Sequence, residues 1–370
     1  MTETFIDVHH IKERYEKTVE RFNLDERVSA RNKELVTSFL RDAALGKTVL
    51  FGARRKIREA KLTSYIKHFC IFIDYVNKDL DKVEQIDVEK FVEALDRGKI
   101  LSRQVFLVGR KKILRPGPLS ESYRAGIKTS VKKLYKWLWG ECRTYPKMVD
   151  WIDTYCPRKE IAALTEAEIQ ALIDMCQKTY HKAVIQTMFD GGFRIGELLN
   201  IRLKHVTFRG FSANDSSLRC FFLRVPFSKT FPRTVSLPME NTTKWLMLWL
   251  KDHPAHPTIR EDGTLKAEDM EKQLFPRTVN AVRILLAVLG KKVLGKRVWP
   301  HLLRHTSATY WSNKLPYFKF CKRFGWTMTS KMPQRYIDVA GVDEMEVAEI
   351  YHHGQAPVRE RFSSSLTSGR

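Results

Sequence analysis

Cysteines are few in this sequence and long hydrophobic runs are missing, and each of these features excludes a class of protein. The six cysteines form no Cys-x-x-Cys pair and no Cys/His cluster at zinc-finger spacing, so we expect neither a disulfide framework nor a structural zinc site. No run approaches the roughly 18 apolar residues that a membrane-spanning helix needs. The first residues, MTETFIDVHHIKERYEK, also lack the apolar centre of a signal peptide. We therefore expect a cytoplasmic protein.

Acidic residues are scarce relative to basic ones. The chain of 370 residues carries 42 Asp and Glu against 65 Lys and Arg, which gives a formal net charge of +23. A surface this positive attracts polyanions, so nucleic acid is the partner that we expect. An anionic membrane surface would attract the same charge, but no spanning segment supports that alternative. The hydrophobic content of 43% is sufficient for two or three domains, each with its own core.

The spacing of apolar residues predicts a mainly α protein with a small antiparallel β-sheet, an α+β fold. Apolar residues recur at helical spacing from about residue 31 to 142, for example in KLTSYIKHFCIFIDYV. The period changes to two between about 205 and 238, where SLRCFFLRVPF and RTVSLP predict short antiparallel strands. Helical patterns resume through 241–251, 277–292, 300–313 and 317–324.

Breaks in these patterns divide the chain into domains. A new domain opens near Thr165, because Thr165 and Glu168 have the spacing of a capping box at a helix start. The segment before it contains two prolines and has no clean period, which is typical of a linker. The predicted division is an N-terminal arm at 1–30, a helical domain at 31–142, a linker at 143–163, a second domain at 164–340 and a C-terminal tail at 341–370.

One face of the helix predicted near residues 120–140 carries only positive charge. Its basic residues repeat every four positions, and no acidic residue interleaves to relieve their repulsion. A solvated helix face is the simplest explanation of such a pattern. Because repulsion costs folding energy, a DNA phosphate backbone lying along the face explains it better. The predicted DNA-binding residues, called the basic ridge below, are Arg124, Lys128, Lys132 and Lys136.

An arginine follows a double glycine in the segment GGFRIGELL. The glycines allow a tight turn before a new helix, so Arg194 would lie in the first helical turn, where free backbone amides favour an anion. An arginine fork in that position can bind a phosphate through two hydrogen bonds. Glu197 shares the helix face and can orient Arg194. For an isolated motif of this kind, a surface salt bridge is the commoner explanation.

Two later segments carry polar groups that suit the same chemistry. His301 and Arg304 share a helix face, so an imidazole and a guanidinium can converge on one anion. Further along, Gly325 ends a predicted helix, Trp326 offers an indole N–H donor, and Tyr336 follows. Taken singly, a His-x-x-Arg motif or a tyrosine is most often structural.

The order of these motifs resembles that of the tyrosine recombinases, which include phage and archaeal integrases. Arg194 matches the family's first catalytic arginine, and Lys229 in PFSKTFPRTVSLP matches its lysine on a β-hairpin. His301 and Arg304 match the central pair. Trp326 matches a position that is His or Trp in members of the family. Tyr336 matches the nucleophile, and the wording before it, Ser-Lys-Met-Pro, is similar to archaeal members.

The detailed resemblance covers residues 161–340. The segment 31–142 resembles the family's core-binding domain in position and character only. In this family, tails such as VDEMEVAEIYHH can dock on a neighbouring protomer, and we consider a helix folded back on its own domain equally plausible.

The resemblance implies an enzyme, a site-specific DNA recombinase that cleaves and rejoins strands through a 3′-phosphotyrosine intermediate. In that mechanism Arg194 and Arg304 grip the phosphate, His301 and Trp326 form hydrogen bonds to the reacting groups, and Lys229 protonates the leaving oxygen. The resemblance implies no cofactor and no metal. The implied partners are double-stranded DNA at a specific attachment site and further copies of the chain, in a tetramer on DNA. Integration of a viral or other mobile element is the expected use, in the nucleoid or in a host's cytoplasm.

Other interpretations remain open at this point. A type IB topoisomerase or a telomere resolvase would use similar residues without exchanging strands between duplexes, and an inactive DNA-binding relative would keep only the fold. Tyr310, Tyr317 and Tyr351 are alternative nucleophiles, although only Tyr336 has the expected neighbours. The tyrosine can act in its own site or in that of a neighbour.

Overall fold

The computed structural model contains mainly α-helices and small antiparallel sheets, which confirms the predicted fold class. Among the residues it describes, no helix is long and apolar enough to cross a membrane. The structure describes residues 5–48, 56–108, 111–140, 144–157, 160–210, 218–228 and 230–340. The predicted tail at 341–370 lies outside the described residues, and so does Lys229.

The chain divides into two compact units. One consists of His10–Lys159, and the other combines Met1–His9 with Glu160–Arg370. We call the first the helical unit and the second the site unit, because the second carries Arg194 and Tyr336.

The helical unit is built on long amphipathic helices. Its core contains large aromatic side chains that pack edge to face, among them Phe39, Phe69 and Phe72. The apolar face predicted in KLTSYIKHFCIFIDYV is buried in this core. The elements are α1 (Ile11–Leu24), α2 (Ala30–Ala44), α3 (Glu59–Val76), α4 (Gln85–Asp96), β1 (Leu101–Val108), β2 (Lys111–Pro118), α5 (Glu121–Leu138) and α6 (Lys147–Asp150).

The structure corrects one expectation in this unit. Residues 31–142 are not helical throughout, because β1 and β2 form an antiparallel hairpin. Apolar and β-branched residues on both sides of a glycine favour such a hairpin, and this pattern went unrecognised between two long helices. Within the segment 1–30, α1 has 14 residues, and its Phe22 is buried in the core of the helical unit.

The site unit surrounds a three-stranded antiparallel sheet with helices. The sheet has the order β3-β4-β5, and Thr165 and Glu168 form the predicted capping box at the start of α7. The elements are α7 (Glu166–Asp174), α8 (Thr179–Gly191), α9 (Ile195–Leu198), β3 (Val206–Gly210), β4 (Arg219–Val225), β5 (Arg233–Leu237), α10 (Glu240–Lys251), β6 (Thr258–Ile259), β7 (Leu265–Lys266), α11 (Val279–Leu294), α12 (Pro300–Ser312), α13 (Tyr317–Phe324) and α14 (Met332–Ala340).

A left-handed glycine makes the turn that leads from α8 to α9. Gly192 has a φ of 59°, and a Cβ at this position would lie 2.2 Å from the ring of Phe324. Any other residue would therefore be strained and would displace α13. The double glycine thus brings the end of α8, the start of α9 and the end of α13 close together, and the polar groups of the site gather at this junction.

Candidate active site

Arg194 occupies the N-cap position of α9, one residue before the helical turn in which the sequence predicts it, and Glu197 holds it there. The carboxylate of Glu197 accepts from Arg194 Nη1 at 2.7 Å and from the Arg194 backbone N–H at 3.0 Å. The Arg194 side chain is 28% exposed, so its guanidinium can reach a ligand in solvent, whereas the Glu197 side chain is 5% exposed. The local spacing of the motif is sufficient to produce this arrangement.

Arg304 on α12 lies in the buried part of the site. Its Nη1 donates to the carbonyl of Gly192 at 2.5 Å and its Nη2 to the carbonyl of Phe324 at 2.7 Å. Burial and the positive charge of Arg194 lower the pKa of Arg304 to about 9, and Glu197, at 3.8 Å, opposes that shift. The guanidinium therefore stays charged at neutral pH although only 1% of the residue is exposed.

Arg233 on β5 is a site residue that the sequence analysis missed. Its Nη2 donates to Glu197 at 2.9 Å, and its Nε donates to the carbonyl of Arg323 at 2.8 Å. A buried arginine that joins the sheet, α9 and α13 fixes their relative positions. No local pattern indicates this role, because the partner carboxylate lies 36 residues away in the sequence.

The described residues on both sides of Lys229 are held at the site. Ser228 donates its hydroxyl to Glu197 Oε1 at 3.0 Å, and Thr230 donates its hydroxyl to the carbonyl of Gly325 at 2.7 Å. The loop that carries Lys229 is therefore connected to α9 on one side and to the end of α13 on the other.

Tyr336 on α14 is buried beside the arginines of its own chain. It is 1% exposed, and its ring stacks on Trp326 with centroids 5.3 Å apart and an interplanar angle of 18°. Burial raises the pKa of Tyr336, and the positive charges of Arg304, Arg335 and Arg194 oppose that rise. The structure thus brings the predicted nucleophile and the predicted arginines into one electrostatic environment.

His305 forms a hydrogen bond with the phenol of Tyr336. The His305 Nδ1 lies 2.6 Å from the phenol oxygen, and the His305 ring contacts the ring of His301 at 4.4 Å. Burial, together with the charges of His301, Arg304 and Arg335, lowers the pKa of His305 to about 4, so its imidazole is neutral at physiological pH.

His305 was not among the predicted site residues. The signal for it was present, because His301 and His305 are four residues apart and lie on one helix face. His301 itself has its pKa lowered by burial and by the charges of Arg304 and Arg194. Its position between Arg194 and His305 is compatible with the predicted contact to an anion.

Trp326 lies at the centre of a stack of aromatic rings. Its indole is 6% exposed, contacts Phe324 at 5.0 Å between centroids, and lies against the guanidinium of Arg304 at 5.4 Å. Cation–π contacts of this kind stabilise a charged side chain that has left water. Trp326 therefore supports both Arg304 and Tyr336.

The other tyrosines that were considered as nucleophiles have different neighbours. The ring of Tyr310 packs on Phe189, and the hydroxyl of Tyr317 donates to the carbonyl of Met328 at 3.4 Å. Tyr351 lies outside the described residues. Of the described candidates, Tyr336 is the one with a hydrogen bond to His305.

The first two residues of the basic ridge bind groups of their own unit. Arg124 donates to the carbonyls of Leu95 and Asp96 at 3.3 and 2.7 Å, at the C-terminal end of α4. Lys128 pairs with the carboxylate of Asp96 at 2.6 Å, and its side chain is 11% exposed. No acidic residue interleaves with the ridge on α5 itself, but the carboxylate of Asp96 on α4 relieves part of its repulsion.

The other two ridge residues also have contacts inside the unit. Lys132 donates to the carbonyls of Asp150 and Ile152, both at 2.8 Å. Lys132 and Lys136 both lie over the ring of Tyr145, at 4.9 and 4.8 Å. Packing between helices thus accounts for part of the ridge, and its binding to DNA stays a prediction.

Within the described ranges, no three His, Cys, Asp or Glu side chains are grouped as ligands of a metal ion. The polar groups that the site presents are guanidinium, imidazole, indole and phenol. These groups can neutralise an anion and move a proton.

Comparisons with known proteins show the family of this chain. The profile of the phage integrase family matches residues 162–341. Tyrosine recombinase XerA of Saccharolobus solfataricus is 30% identical over 241 residues, which cover 64% of this chain and 68% of that protein.

Two solved structures have a similar fold. One is the XerH site-specific recombinase bound to palindromic difH substrate in a post-cleavage complex, with a TM-score of 0.57 and 13% identity, covering 89% of this chain and 99% of that one. The other is a lambda integrase tetramer bound to a Holliday junction, with a TM-score of 0.53 and 13% identity, covering 83% of this chain and 78% of that one.

Proposed function

Because this chain belongs to the tyrosine recombinase family and is a site-specific recombinase, we propose that it cleaves and rejoins DNA through a covalent bond to Tyr336. The observation that carries this proposal is the place of Tyr336, buried in its own chain beside Arg304 and hydrogen-bonded to His305. A buried phenol next to a neutral imidazole and several guanidinium groups has the parts that a phosphoryl-transfer nucleophile needs.

The arginines stabilise the phosphate as its charge grows. Arg194 and Arg304 bind the non-bridging oxygens of the phosphate. Glu197, itself held by Arg233, keeps both guanidinium groups in position. Fixed donors of this kind usually contribute the largest part of the catalysis. Because Arg304 and Tyr336 are each 1% exposed, a phosphate reaches them only after the residues that cover them have moved.

The reaction forms one bond and breaks one. The Tyr336 oxygen attacks phosphorus, and the bond from phosphorus to the 5′ oxygen breaks, which leaves a 3′-phosphotyrosine and a free 5′ hydroxyl. His305, in the tautomer with its proton on Nε2, accepts the phenol proton at Nδ1, and Lys229 supplies a proton to the leaving oxygen. Rejoining reverses these steps: a 5′ hydroxyl from the other duplex attacks the 3′-phosphotyrosine, and the bond from phosphorus to the Tyr336 oxygen breaks.

The partners of the chain are double-stranded DNA and further copies of itself. We infer a tetramer on a specific recombination site, by analogy with the lambda integrase tetramer on its junction. In this scheme the helical unit binds DNA beside the cleavage point, as the net charge of +23 favours. The substrate is the attachment site of a viral or other mobile element. The family match favours a recombinase over a topoisomerase, a telomere resolvase or an inactive relative.

A suicide substrate tests the nucleophile. In a duplex nicked close to the cleavage point, cleavage releases the short fragment that carries the new 5′ hydroxyl. Rejoining is then impossible, so the covalent protein–DNA complex accumulates and is quantified on a denaturing gel. We expect the unaltered chain to form this complex and Tyr336→Phe to bind DNA with unchanged affinity and form none. Complex at normal yield in Tyr336→Phe would contradict the assignment, and the band from the matched variant Tyr310→Phe should keep its normal intensity.

Mixing two inactive variants tests whether Tyr336 acts in its own site. Tyr336→Phe keeps the arginines, and Arg304→Ala keeps the nucleophile. If the tyrosine acts in its own chain, as its position here supports, no mixture contains a complete site and no covalent complex forms. A tyrosine delivered to a neighbour would restore activity in the mixture.

A further inference from the structure

The first described residues of the chain belong to a different unit from the helix that follows them. Residues 5–9, called the N-terminal strap here, group with the site unit, whereas α1 belongs to the helical unit. Val8 packs against the hydrophobic core of the site unit. Chain ends are usually ordered only where contacts hold them, so the contacts of the strap indicate what it does.

Asn200, directly after α9, anchors the strap through its side-chain amide. Its Oδ1 accepts from the backbone N–H of Ile6 at 2.8 Å, and its Nδ2 donates to the carbonyl of Ile6 at 3.0 Å. The same Nδ2 donates to the carbonyl of Gly196 in α9 at 2.9 Å. Asn200 is 1% exposed, so these bonds form away from water.

Gly196 allows the strap to approach α9 closely. A Cβ at Gly196 would lie 3.0 Å from Nε2 of His9, a distance that forces one of them to move. Gly196 also stands between Arg194, which binds the phosphate in the proposed mechanism, and Glu197, which orients that arginine. The strap therefore packs directly on the turn that supports the arginine.

The strap also contacts the loop that leads to Lys229. Phe5 meets Phe227 edge to face, with centroids 5.4 Å apart and an interplanar angle of 76°. The next residue, Ser228, donates to Glu197 at 3.0 Å. The strap thus touches α9 at one end and the loop of Lys229 at the other. The hydrogen bond from Ser228 to Glu197 joins that loop to α9 at the same place.

We propose that the strap positions the loop of Lys229 for proton delivery. Because the strap holds Phe227 through Phe5 and is itself anchored to Asn200, it keeps the loop beside the phosphate that Arg194 binds. This proposal rests on the general-acid role of Lys229 given above. Without the strap, the loop loses one of its packing contacts, and the lysine amine reaches the leaving oxygen in a smaller fraction of molecules.

Two suicide substrates separate loss of proton delivery from other effects. In the second substrate, sulfur replaces the bridging 5′ oxygen at the cleavage point. The leaving group then departs as a thiolate, which needs no proton because a thiol is a much stronger acid than an alcohol. The single-turnover cleavage rate is measured at saturating DNA on both substrates, and the affinity is measured separately by fluorescence anisotropy.

The test uses a deletion of residues 2–9, the substitution Asn200→Ala, and Lys229→Ala as the reference for lost proton delivery. We expect the deletion and Asn200→Ala to lower the rate on the oxygen substrate about tenfold or more. On the sulfur substrate, all three variants should return to within about twofold of the unaltered chain. DNA affinity should change by less than about twofold.

Asn32 provides a matched control for a purely structural effect. It is 2% exposed and pairs with backbone groups in the same way, donating to the carbonyl of Lys78 at 3.0 Å and accepting from the N–H of Leu80 at 2.7 Å. Asn32→Ala loses an equivalent pair of hydrogen bonds in the helical unit. It should lower the melting temperature and leave both cleavage rates unchanged at saturating DNA.

Three results would overturn the proposal. The first is a deletion that leaves the cleavage rate on the oxygen substrate unchanged. The second is a deletion that lowers the rates on the oxygen and sulfur substrates equally. Lys229→Ala can also stay slow on the sulfur substrate, in which case the general-acid role fails and the strap proposal fails with it. If sulfur restores Lys229→Ala but not the deletion, the general-acid role stands and the strap proposal alone is wrong.

Discussion

Glu197 is the counter-ion of a cluster of arginines, and its replacement by glutamine tests how much the site depends on that charge. Its carboxylate lies 2.7 Å from Arg194, 2.9 Å from Arg233 and 3.8 Å from Arg304. Arg233 is 9% exposed and Arg304 is 1% exposed, so water cannot replace the carboxylate around them. Glutamine keeps the shape of the side chain and removes its charge.

The pKa of Glu197 gives the magnitude of the effect. Burial raises this pKa, but the hydrogen bond from Arg233 and the charges of Arg233, Arg304 and Arg194 outweigh burial and lower it from 4.5 to about 2. A depression of that size corresponds to roughly 3 kcal/mol of stability at neutral pH. Breaking a buried ion pair on one side costs about 3–5 kcal/mol, which agrees with that figure. We expect Glu197→Gln to lose roughly 3 kcal/mol.

The sign of the pH dependence follows from the same values. Because the folded pKa is below the unfolded one, the contribution of the carboxylate is fully present above pH 4.5 and is lost as the pH falls toward 2. The difference between the unaltered chain and Glu197→Gln should therefore shrink in acid.

Hydrogen exchange of the α12 amides in increasing urea measures the stability of the site unit in the full chain. Glu168→Gln is the matched control, since Glu168 pairs with Lys296 at 2.5 Å but its side chain is 24% exposed. The Glu168→Gln variant should lose less than about 1 kcal/mol of stability. A loss below about 1 kcal/mol for Glu197→Gln, or a loss that stays constant into acid, would refute the counter-ion role.

His68, His305 and the basic ridge each give a further expectation. Burial and the charges of Lys61 and Lys67 lower the pKa of His68 to about 4. The unfolded chain therefore binds more protons from pH 6.5 down to about 4, so the helical unit loses stability over that range. Urea denaturation should show a weaker acid dependence in His68→Gln. His305→Phe should slow formation of the covalent complex at saturating DNA about 100-fold, and an unchanged rate would exclude His305 from proton transfer. If Lys136 contacts a phosphate, Lys136→Gln should reduce the slope of log affinity against log salt by about 1, whereas an unchanged slope assigns Lys136 to its contact with Tyr145.

Local spacing accounts for the parts of the site that the sequence placed correctly. Arg194 and Glu197 are three residues apart around one helix start, so the hydrogen bond between them needs no distant element. The capping box of α7 is equally local. In both cases the partners are fixed by the geometry of a single helical turn, which a sequence displays directly.

Contacts between distant segments account for what the sequence analysis missed. Arg233 looks like a solvated residue of an edge strand, yet it binds Glu197 in another element. The basic ridge looks repulsive on its own helix, yet Lys128 meets Asp96 from α4. The sequence of one segment predicts which face of its helix is apolar and which is basic. The charged groups that lie opposite that face come from other segments, so the periodicity of one helix does not predict them.

The positive field of the site connects substrate binding to activation of the nucleophile. Arg304 and Arg335 help to hold the pKa of His305 at about 4, while burial raises the pKa of Tyr336, so the proton stays on the phenol. A phosphodiester bound between the arginines brings a negative charge, cancels part of that field and raises the pKa of His305. The same negative charge also offsets the effect of Arg304, Arg335 and Arg194 on Tyr336, and so raises the pKa of the phenol as well. Proton transfer from Tyr336 to His305 is therefore favoured by a bound phosphate to the extent that the phosphate charge lies closer to the imidazole than to the phenol.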